Sequence, residues 1–245
     1  MSTNYDPIAD QYKRSKQQPW RTHIECFTLM NVVGNPRGLE ILDIACGEGF
    51  YTRLLCERGA KKVTGVDLSQ GMIELARKQE AQHQLGIHYV VGDARELPDE
   101  NQYDLAIAAY LLNYAKNVEE LQAMCNGIAR SLKPGGRFIT VNSNPELHFP
   151  TAPSYRPYGF ETQVQGAWQE GAPITWSFYL EDGVFDIENY YLNRIAHEAA
   201  FKKAGFSEVR WHTPRLSAEG RQHQDTTYWS HFLAFPPIAF IECIK

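Results

Sequence analysis

The sequence predicts a single α/β domain built on a doubly wound, mostly parallel sheet. Between residues 39 and 143, short apolar segments of strand length alternate with amphipathic segments of helical period. A glycine-rich turn joins the first of these strands to the first helix. Strands separated by helices pair in parallel, and the helices then cover both faces of the sheet. The length of 245 residues suits one such domain.

Composition and charge exclude several classes of protein. Hydrophobic residues make up 43% of the chain and charged residues 22%, which is typical of a globular protein rather than a disordered one. The net charge of −5 lacks the basic signature of duplex-binding proteins, so we expect no nucleic-acid partner. The longest apolar run, residues 105–112, has the length of a strand and not of a membrane span. We therefore expect no membrane partner.

The cysteines and the first residues indicate a cytoplasmic protein. The five cysteines lie far apart and form no Cys-x-x-Cys pair, which favours free thiols in a reducing compartment. The beginning, MSTNYDPIAD, lacks the charged and apolar regions of a signal peptide. No His-Glu-x-x-His spacing occurs among the eight histidines, so no metal site is expected. We expect a monomer or homodimer that acts on a small molecule.

The elements of the first half follow from apolar patterns and end signals. Ser69 is the predicted N-cap of one helix, and Gly59 ends the helix at 50–58. Asn117 and Glu120 have the spacing of a capping box and begin a third helix. The predicted strands are residues 39–44, 62–67, 87–91, 103–109 and 137–141.

The pattern changes after residue 143. Residues 144–189 are rich in proline, glycine and aromatic residues, and we interpret them as an inserted substrate cap. The closing elements are a helix at 190–204 and strands at 207–212 and about 228–244. Pro236 and Pro237 fall inside the last of these strands, which predicts an edge position or a bulge there.

Two features of the first strand–helix units predict a nucleoside cofactor. The first strand runs into the turn Cys46-Gly47-Glu48-Gly49, where a ligand can approach bare backbone at a helix N-terminus. Asp67 ends the second strand, where a carboxylate can accept hydrogen bonds from ribose hydroxyls. The further acid Asp43 suits a ligand that carries an amine rather than a pyrophosphate, because like charges repel. NAD is therefore not favoured.

Four motifs follow one another in the strand–helix region: Asp43-x-Ala45-x-Gly47-x-Gly49, Gly65-Val66-Asp67-Leu68-Ser69, Gly92-Asp93-Ala94 and Lys133-Pro134-Gly135-Gly136. In this order they resemble the motifs of the class I S-adenosylmethionine (SAM) methyltransferases. The resemblance implies a Rossmann-like sheet of seven strands, with SAM as cofactor and S-adenosyl-L-homocysteine as product. The cofactor-binding residues that it implies are Asp43, Ala45, Gly47, Gly49, Asp67, Leu68, Met72, Asp93, Ala94, Ala109 and Tyr110.

The resemblance also implies what these residues do. Gly47 and Gly49 lie behind the methionine part of SAM, and Asp43 lies near its amino group. Asp67 holds the ribose, whereas Asp93 faces the exocyclic amine of the adenine. The end of the fourth strand, Ala109-Tyr110, borders the sulfonium. For Met72, packing in the core is an equally good interpretation.

Residues 1–38 lie outside the strand–helix pattern and are interpreted as an N-terminal lid. Tyr5 and Tyr12 share one face of a predicted short helix, and Trp20 and Arg21 follow it. Aromatic faces attract a sulfonium, and an arginine can pair with the methionine carboxylate. Tyr12, Trp20 and Arg21 are therefore candidate cofactor-binding residues. Tyr5 and Tyr12 are also candidate catalytic residues that orient the acceptor. The alternative is a packed amphipathic segment.

Residues 45–53, 109–115 and 141–145, with this N-terminal segment, resemble a narrower group. That group is the N-methyltransferases of toxoflavin (azapteridine) biosynthesis and their relatives. The resemblance implies methylation of a ring nitrogen on a flat heteroaromatic substrate. The candidate substrate-binding residues are Tyr5, Asn113, Tyr114, Asn144, Trp176, Tyr179 and Trp229.

The chemistry itself needs alignment of donor and acceptor and exclusion of water more than it needs a base. An acidic ring N–H that ionises near neutral pH needs no enzymatic base, whereas an alkyl hydroxyl or an unactivated carbon does. No base is evident in the sequence, and His231 is the best catalytic candidate among the histidines. Two alternatives stay open: an O- or C-methyltransferase of another small aromatic metabolite, and a non-catalytic SAM-binding module.

Overall fold

Two β-sheets organise residues 9–97 and 102–245, which are the residues that this computed structural model describes. In chain order, the strands are β1 (Glu40–Ile44), β2 (Lys62–Asp67), β3 (His88–Val91), β4 (Tyr103–Ala109), β5 (Leu132–Ser143), β6 (Phe160–Val164), β7 (Pro173–Leu180), β8 (Gly183–Tyr190), β9 (Glu208–His212) and β10 (Ile238–Ile244). The five strands predicted in the first half are therefore present, and β5 is longer than predicted.

The helices pack around these sheets. They are α1 (Ala9–Ser15), α2 (Phe27–Val33), α3 (Phe50–Glu57), α4 (Gln70–Gln82), α5 (Val118–Ser131), α6 (Arg194–Ala204), α7 (Ala218–His223) and α8 (Thr226–Ala234). A π-helix, Arg21–Cys26, runs directly into α2. Both predicted caps form: Ser69 accepts from the backbone N–H of Met72 at 3.1 Å, and Asn117 accepts from that of Glu120 at 2.9 Å. No helix in the described ranges is long and apolar enough to cross a membrane.

The larger sheet has seven strands in the order β3-β2-β1-β4-β5-β10-β9. Neighbours among β1 to β5 pair in parallel, whereas β10 is antiparallel to both β5 and β9. The doubly wound, mostly parallel sheet is thus confirmed. Because β1 pairs with β2 on one side and β4 on the other, the carboxyl ends of these three strands meet at one edge of the sheet.

Buried apolar side chains lie on both faces of the larger sheet. Ile41 and Leu42 follow each other in β1 and belong to separate clusters, because successive side chains of a strand point to opposite faces. The cluster around Ile41 includes Trp20 and Leu29 of the N-terminal segment. The cluster around Leu42 includes Ile128 of α5. The N-terminal segment therefore covers the face that α5 does not.

The chain from residue 228 to 234 is helical, so its assignment to the last strand was wrong. Asp225 caps α8 by accepting from the backbone N–H of Tyr228 at 2.7 Å. Pro236 and Pro237 lie between α8 and β10, where their missing N–H groups remove no ladder bond. The predicted edge position was also wrong, since β10 pairs on both sides.

The segment interpreted as a cap contains the smaller sheet. Its three antiparallel strands have the order β6-β7-β8. Along β7, Trp176 and Phe178 are buried on one face of the sheet. The next residue, Tyr179, lies on the other face and is half-buried. Trp20 packs against Phe160 of β6 with their ring centroids 5.1 Å apart. The N-terminal segment and the smaller sheet therefore contact each other.

Candidate active site

A cavity of about 600 Å³, the main cavity, lies at the carboxyl edge of the larger sheet. This volume is in the range of sites that hold a cofactor or a drug-sized ligand. Tyr12 of α1 and Tyr114 also line it. Ten of the predicted cofactor-binding residues line the main cavity: Tyr12, Ala45, Gly47, Asp67, Leu68, Met72, Asp93, Ala94, Ala109 and Tyr110.

Asp67 connects the glycine turn to the end of β2. Its Oδ2 accepts from the backbone N–H of Gly47 at 2.8 Å, and its Oδ1 accepts from that of Ser69 at 2.8 Å. Gly47 has a φ of +57°, and a Cβ placed there would come within 3.9 Å of the Lys16 Nζ. The left-handed backbone therefore favours glycine at this position, and the Lys16 ammonium group lies close to the bare backbone of the turn, which we call the cradle.

Two residues without the freedom of glycine have left-handed backbone at this edge. Ala45, directly after β1, has a φ of 56°, and Tyr110, directly after β4, has a φ of 64°. Such a conformation costs about 1–3 kcal/mol per residue and is found most often at functional sites. The backbone N–H of Tyr110 donates to the Val141 carbonyl at 2.8 Å, which helps to hold this conformation.

The lining of the main cavity also includes an apolar surface and a charged pair. Leu68 is 63% exposed, which is unusual for a leucine, and Met72, which is 1% exposed, lines the same cavity. Asp93 is bound to Arg95, whose Nε lies 2.9 Å from its Oδ1, and this hydrogen bond lowers the pKa of Asp93. Sequence reasoning did not find Arg95, which also lines the main cavity.

Lys16 is a second residue that sequence reasoning left without a role. Its Nζ lies 3.6 Å from Glu48 Oε1 and above the ring of Tyr12, 5.2 Å from the centroid. Glu48 is also paired with Arg53 at 2.7 Å. Glu48 therefore has two cationic partners, and Lys16 stands beside the glycine turn.

Two predicted cofactor-binding residues lie behind the glycine turn and do not line the main cavity. Asp43 is buried and accepts from the Thr52 hydroxyl at 2.6 Å. Burial raises the pKa of Asp43 to about 7, although the Thr52 hydrogen bond opposes the shift. Gly49 has a φ of +86°, and a Cβ there would collide with the Tyr89 hydroxyl. Both positions therefore shape the turn from within the protein.

Arg21 and Trp20 are also placed differently from the prediction. Arg21 Nη1 donates to Glu25 Oε2 at 3.1 Å inside the π-helix, so this cation already has a carboxylate partner. Burial disfavours the charged guanidinium, but Glu25 and the neighbouring Tyr110, Tyr12 and Tyr51 together outweigh burial, so the pKa of Arg21 is raised. Trp20 is fully buried, and its Nε1 donates to Gln18 at 3.0 Å. Neither side chain lines the main cavity.

Glu25 is a third residue that sequence reasoning missed. It is buried, and besides Arg21 it accepts hydrogen bonds from the hydroxyls of Tyr51, at 2.7 Å, and Tyr110. Burial and the nearby Glu25 raise the pKa of both tyrosines well above its ordinary value. The spacing of Arg21 and Glu25, four residues apart, was the one signal in the sequence.

A second, much smaller cavity of about 20 Å³ adjoins these residues. It shares Tyr12, Tyr110 and Tyr114 with the main cavity, so we call these three residues the tyrosine junction. The remaining residues that line it are Trp20, Arg21, Trp176, Phe178, Ile187 and Asn189. Of the predicted substrate-binding residues, Tyr114 and Trp176 therefore lie here.

The other predicted substrate-binding residues lie elsewhere. Asn113 and Asn144 line a separate cavity of about 10 Å³. Tyr179 is covered by the Arg156 guanidinium, 3.4 Å from its ring centroid. Trp229 is buried, and its Nε1 donates to the Gly220 carbonyl at 2.7 Å.

The candidate base His231 does not reach either larger cavity. It is exposed on α8, with its ring 5.7 Å from that of Phe235, because α8 is a helix where a strand was expected. Tyr5, the other candidate catalytic residue beside Tyr12, lies outside the described residues.

Known proteins resemble the chain in a domain family, in overall sequence and in fold. Residues 41–136 match the family model described as a methyltransferase domain. The chain is 27% identical to N-demethylindolmycin N-methyltransferase of Streptomyces griseus over 75% of this chain and 76% of that protein. It is 31% identical to demethylmenaquinone methyltransferase of Staphylococcus epidermidis over 64% of this chain and 61% of that protein. The latter match thus spans about three fifths of the relative's length.

A solved structure supports the fold. The crystal structure of an S-adenosylmethionine dependent methyltransferase from Mesorhizobium loti superposes with a TM-score of 0.65 and 19% identity, covering 94% of this chain and 100% of that one. The domain match therefore assigns a methyltransferase domain to residues 41–136, and the fold of the chain agrees with this assignment.

Proposed function

We propose that this enzyme methylates a ring nitrogen of a small, planar heteroaromatic metabolite of the azapteridine type. One observation carries the proposal: the main cavity meets an aromatic cavity at the tyrosine junction, Tyr12, Tyr110 and Tyr114. A cofactor in the first cavity and a flat ring at the junction would be neighbours. Methyl transfer needs this proximity more than any other contribution from the protein.

The residues around the main cavity fit SAM. Lys16, beside the cradle at Gly47, offers a cation to the methionine carboxylate. Asp67, at the end of β2, can accept hydrogen bonds from the ribose hydroxyls, and the exposed Leu68 offers an apolar surface to the adenine. SAM supplies a methyl group that its sulfonium has already activated. The role of these residues is to hold the cofactor with that group near Tyr110.

The residues at and beyond the junction suit a flat aromatic acceptor. Besides its three tyrosines, Trp176 and Phe178 line the second cavity, with their rings stacked 6.3 Å apart. Each offset or edge contact between aromatic rings contributes about 0.5–1.5 kcal/mol beyond the burial of surface. The tyrosine rings at the junction, where the main cavity has room, therefore favour a planar ring over a flexible aliphatic chain.

The chemistry of the lining favours nitrogen. Among the described residues that line the second cavity, none is His, Asp, Glu or Lys. Burial raises the pKa of Tyr110 well above its ordinary value, so this hydroxyl keeps its proton near neutral pH. An acceptor that ionises by itself is therefore favoured. The name of the Streptomyces griseus relative, N-demethylindolmycin N-methyltransferase, supports a nitrogen acceptor.

The proposed reaction balances without an enzymatic base. The ring N–H releases its proton to water, and the nitrogen forms the new bond to the methyl carbon. The carbon–sulfur bond breaks, and its electron pair stays on sulfur. Tyr12, Tyr110 and Tyr114 orient the ring and exclude water around the reacting atoms.

An acceptor panel tests the proposal. Purified enzyme and SAM with a ¹³C-labelled methyl group are incubated with an azapteridine that has a free ring N–H, the same compound blocked at that nitrogen, a phenol and a hydroquinone. We expect labelled product from the free azapteridine alone, with the methyl carbon bonded to ring nitrogen in the NMR spectrum. Labelling of the phenol or the hydroquinone instead would identify an O- or C-methyltransferase. Binding of SAM without any turnover across the panel would contradict the proposal as well.

A further inference from the structure

Two buried N–H groups beside the second cavity have no hydrogen-bond partner among the residues that the structure describes. They are the Nε of Arg21 and the Nε1 of Trp176. Each side chain is 3% exposed, and both line the second cavity. Buried donors are almost always satisfied, because an unpaired one has lost its hydrogen bonds to water and gained nothing in return. A pair of them at one cavity indicates that a ligand supplies the missing acceptor.

The size of the second cavity limits what this acceptor can be. Its volume of about 20 Å³ holds a single water-sized group and no ring. A planar acceptor at the tyrosine junction can therefore place only an exocyclic atom here. That atom must accept hydrogen bonds, because both groups that await a partner are donors.

The charges around the second cavity decide whether the ligand's acceptor atom is neutral or anionic. Arg21 is already paired with the carboxylate of Glu25, which is 2% exposed. The faces of Trp20 and Phe178 lie 4.8 and 5.2 Å from the guanidinium carbon and add negative potential. A second negative charge in this buried place would be uncompensated. A neutral carbonyl oxygen meets both donors without that cost.

We propose that the second cavity binds a carbonyl oxygen of the methyl acceptor through Arg21 Nε and Trp176 Nε1. The inference rests on the proposed function for the identity of the ligand as the methyl acceptor. It narrows the acceptor class to planar heteroaromatic rings that carry a carbonyl group.

Binding affinity tests this inference without any turnover. Isothermal titration calorimetry in the presence of S-adenosyl-L-homocysteine compares quinazoline-2,4-dione with quinazoline, which has the same bicyclic skeleton but lacks the two carbonyl oxygens and the two ring N–H groups. We expect the wild-type enzyme to bind the dione at least about tenfold more tightly, since two hydrogen bonds depend on the oxygen. Equal affinity for the two compounds, or no binding of either, would overturn the inference. Equal affinity is the result expected if an ordered water, and not the ligand, satisfies both donors.

Variants then assign the preference to the two donors. Trp176→Phe keeps an aromatic ring and removes the Nε1 donor, and Arg21→Lys keeps the charge opposite Glu25 and removes the Nε donor. Each should lower the preference for the dione by about fivefold or more. Trp168→Phe is the matched control, because Trp168 lies outside the second cavity, and it should keep the wild-type preference. Undiminished preference in both test variants would overturn the assignment.

Two further measurements distinguish failure of the inference from misfolding of a variant and from failure of the proposed function. Unchanged affinity for S-adenosyl-L-homocysteine shows that a variant is folded. If one variant fails this check, the dione preference of the wild type and of the other variant still tests the inference. A dione preference that depends on Trp176, found in an enzyme that methylates no azapteridine, would support the binding site and contradict the proposed function. Methylation of an azapteridine by an enzyme that shows no dione preference would support the proposed function and contradict the binding site.

Discussion

The hydroxyl of Tyr110 donates a hydrogen bond to the carboxylate of Glu25, which lies 85 residues earlier in the chain. Tyr110 stands at the end of β4 and lines both cavities, whereas Glu25 belongs to the buried π-helix of the N-terminal segment. Glu25 also binds Tyr51 and Arg21, so this one carboxylate fixes three side chains around the tyrosine junction. π-Helical turns often occur at functional sites, and this one places Arg21 and Glu25 together.

Replacement of Glu25 should therefore destabilise the protein strongly. Glu25→Gln leaves the buried Arg21 guanidinium without a counter-charge, and the loss of one partner of a buried ion pair costs about 3–5 kcal/mol in the free energy of unfolding. Urea unfolding followed by circular dichroism measures this. The control is Asp182→Asn, which breaks the exposed pair with Arg14 and should change stability little. Equal effects of the two substitutions would show that the Glu25 cluster is not important for stability.

Asp67 should control cofactor affinity. Asp67→Ala removes the carboxylate that is proposed to bind the ribose and also frees the backbone N–H groups of Gly47 and Ser69. We expect the dissociation constant for SAM to rise by a factor that corresponds to about 2–3 kcal/mol, measured by calorimetry. Asp104→Ala is the control, because that carboxylate lies near the opposite end of β4. Unchanged SAM affinity in Asp67→Ala would refute the cofactor assignment.

Lys16 offers a sharper test of the methionine end. Lys16→Ala should weaken SAM binding by about tenfold or more, because a charge-assisted hydrogen bond to the carboxylate is lost. With decarboxylated SAM, which lacks that carboxylate, wild type and variant should bind alike. Lys13→Ala, which removes a cation from α1 three residues before Lys16, is the control for net charge. If Lys16→Ala weakens both ligands to the same extent, Lys16 supports the fold of the glycine turn and does not bind the carboxylate.

Asp43 should make stability depend on pH with an unusual sign. Its pKa in the folded state is raised to about 7 by burial, so between about pH 4 and pH 7 the native protein keeps a proton that the unfolded chain loses. The stabilisation is complete below the unfolded pKa and is lost as pH rises through the folded pKa. Asp43→Asn should remove this loss, so its advantage over wild type should be on the order of 2–3 kcal/mol greater at pH 8 than at pH 5. Urea unfolding at both pH values measures the difference, and a constant difference would contradict the raised pKa.

The sequence predicts the larger sheet well because each strand–helix unit carries local signals. Ser69 and Asn117 mark helix starts by their side-chain chemistry, and both caps form. Residues 228–234 were assigned to a strand as the first part of the closing strand predicted at about 228–244. The cap at Asp225 and the contacts of Trp229 with residues such as Gly220 favour the helix instead. Tertiary packing overrides propensity in this segment.

The sequence predicts some residues that line the cavities and misses others. Residues that end strands, such as Asp67, were predicted to lie at the site and do line the main cavity, because topology places strand ends at one edge. Glu25 was missed, since its tyrosine partners lie 26 and 85 residues away and no local pattern shows them. Asn113 and Asn144 were assigned by resemblance, and their side chains line a different cavity. Side-chain direction at the ends of loops depends on packing that a single sequence does not show.

The dependence of methylation rate on pH tests most directly whether the junction positions a self-ionising acceptor. The rate is measured with saturating SAM for two ring N–H acceptors that differ in pKa by about two units, at subsaturating acceptor. We predict that the midpoint of the profile moves with the acceptor by about two units, because the described residues that line the second cavity include no His, Asp, Glu or Lys to take the proton. A midpoint that stays fixed when the acceptor is changed would contradict this mechanism and identify an enzymatic base.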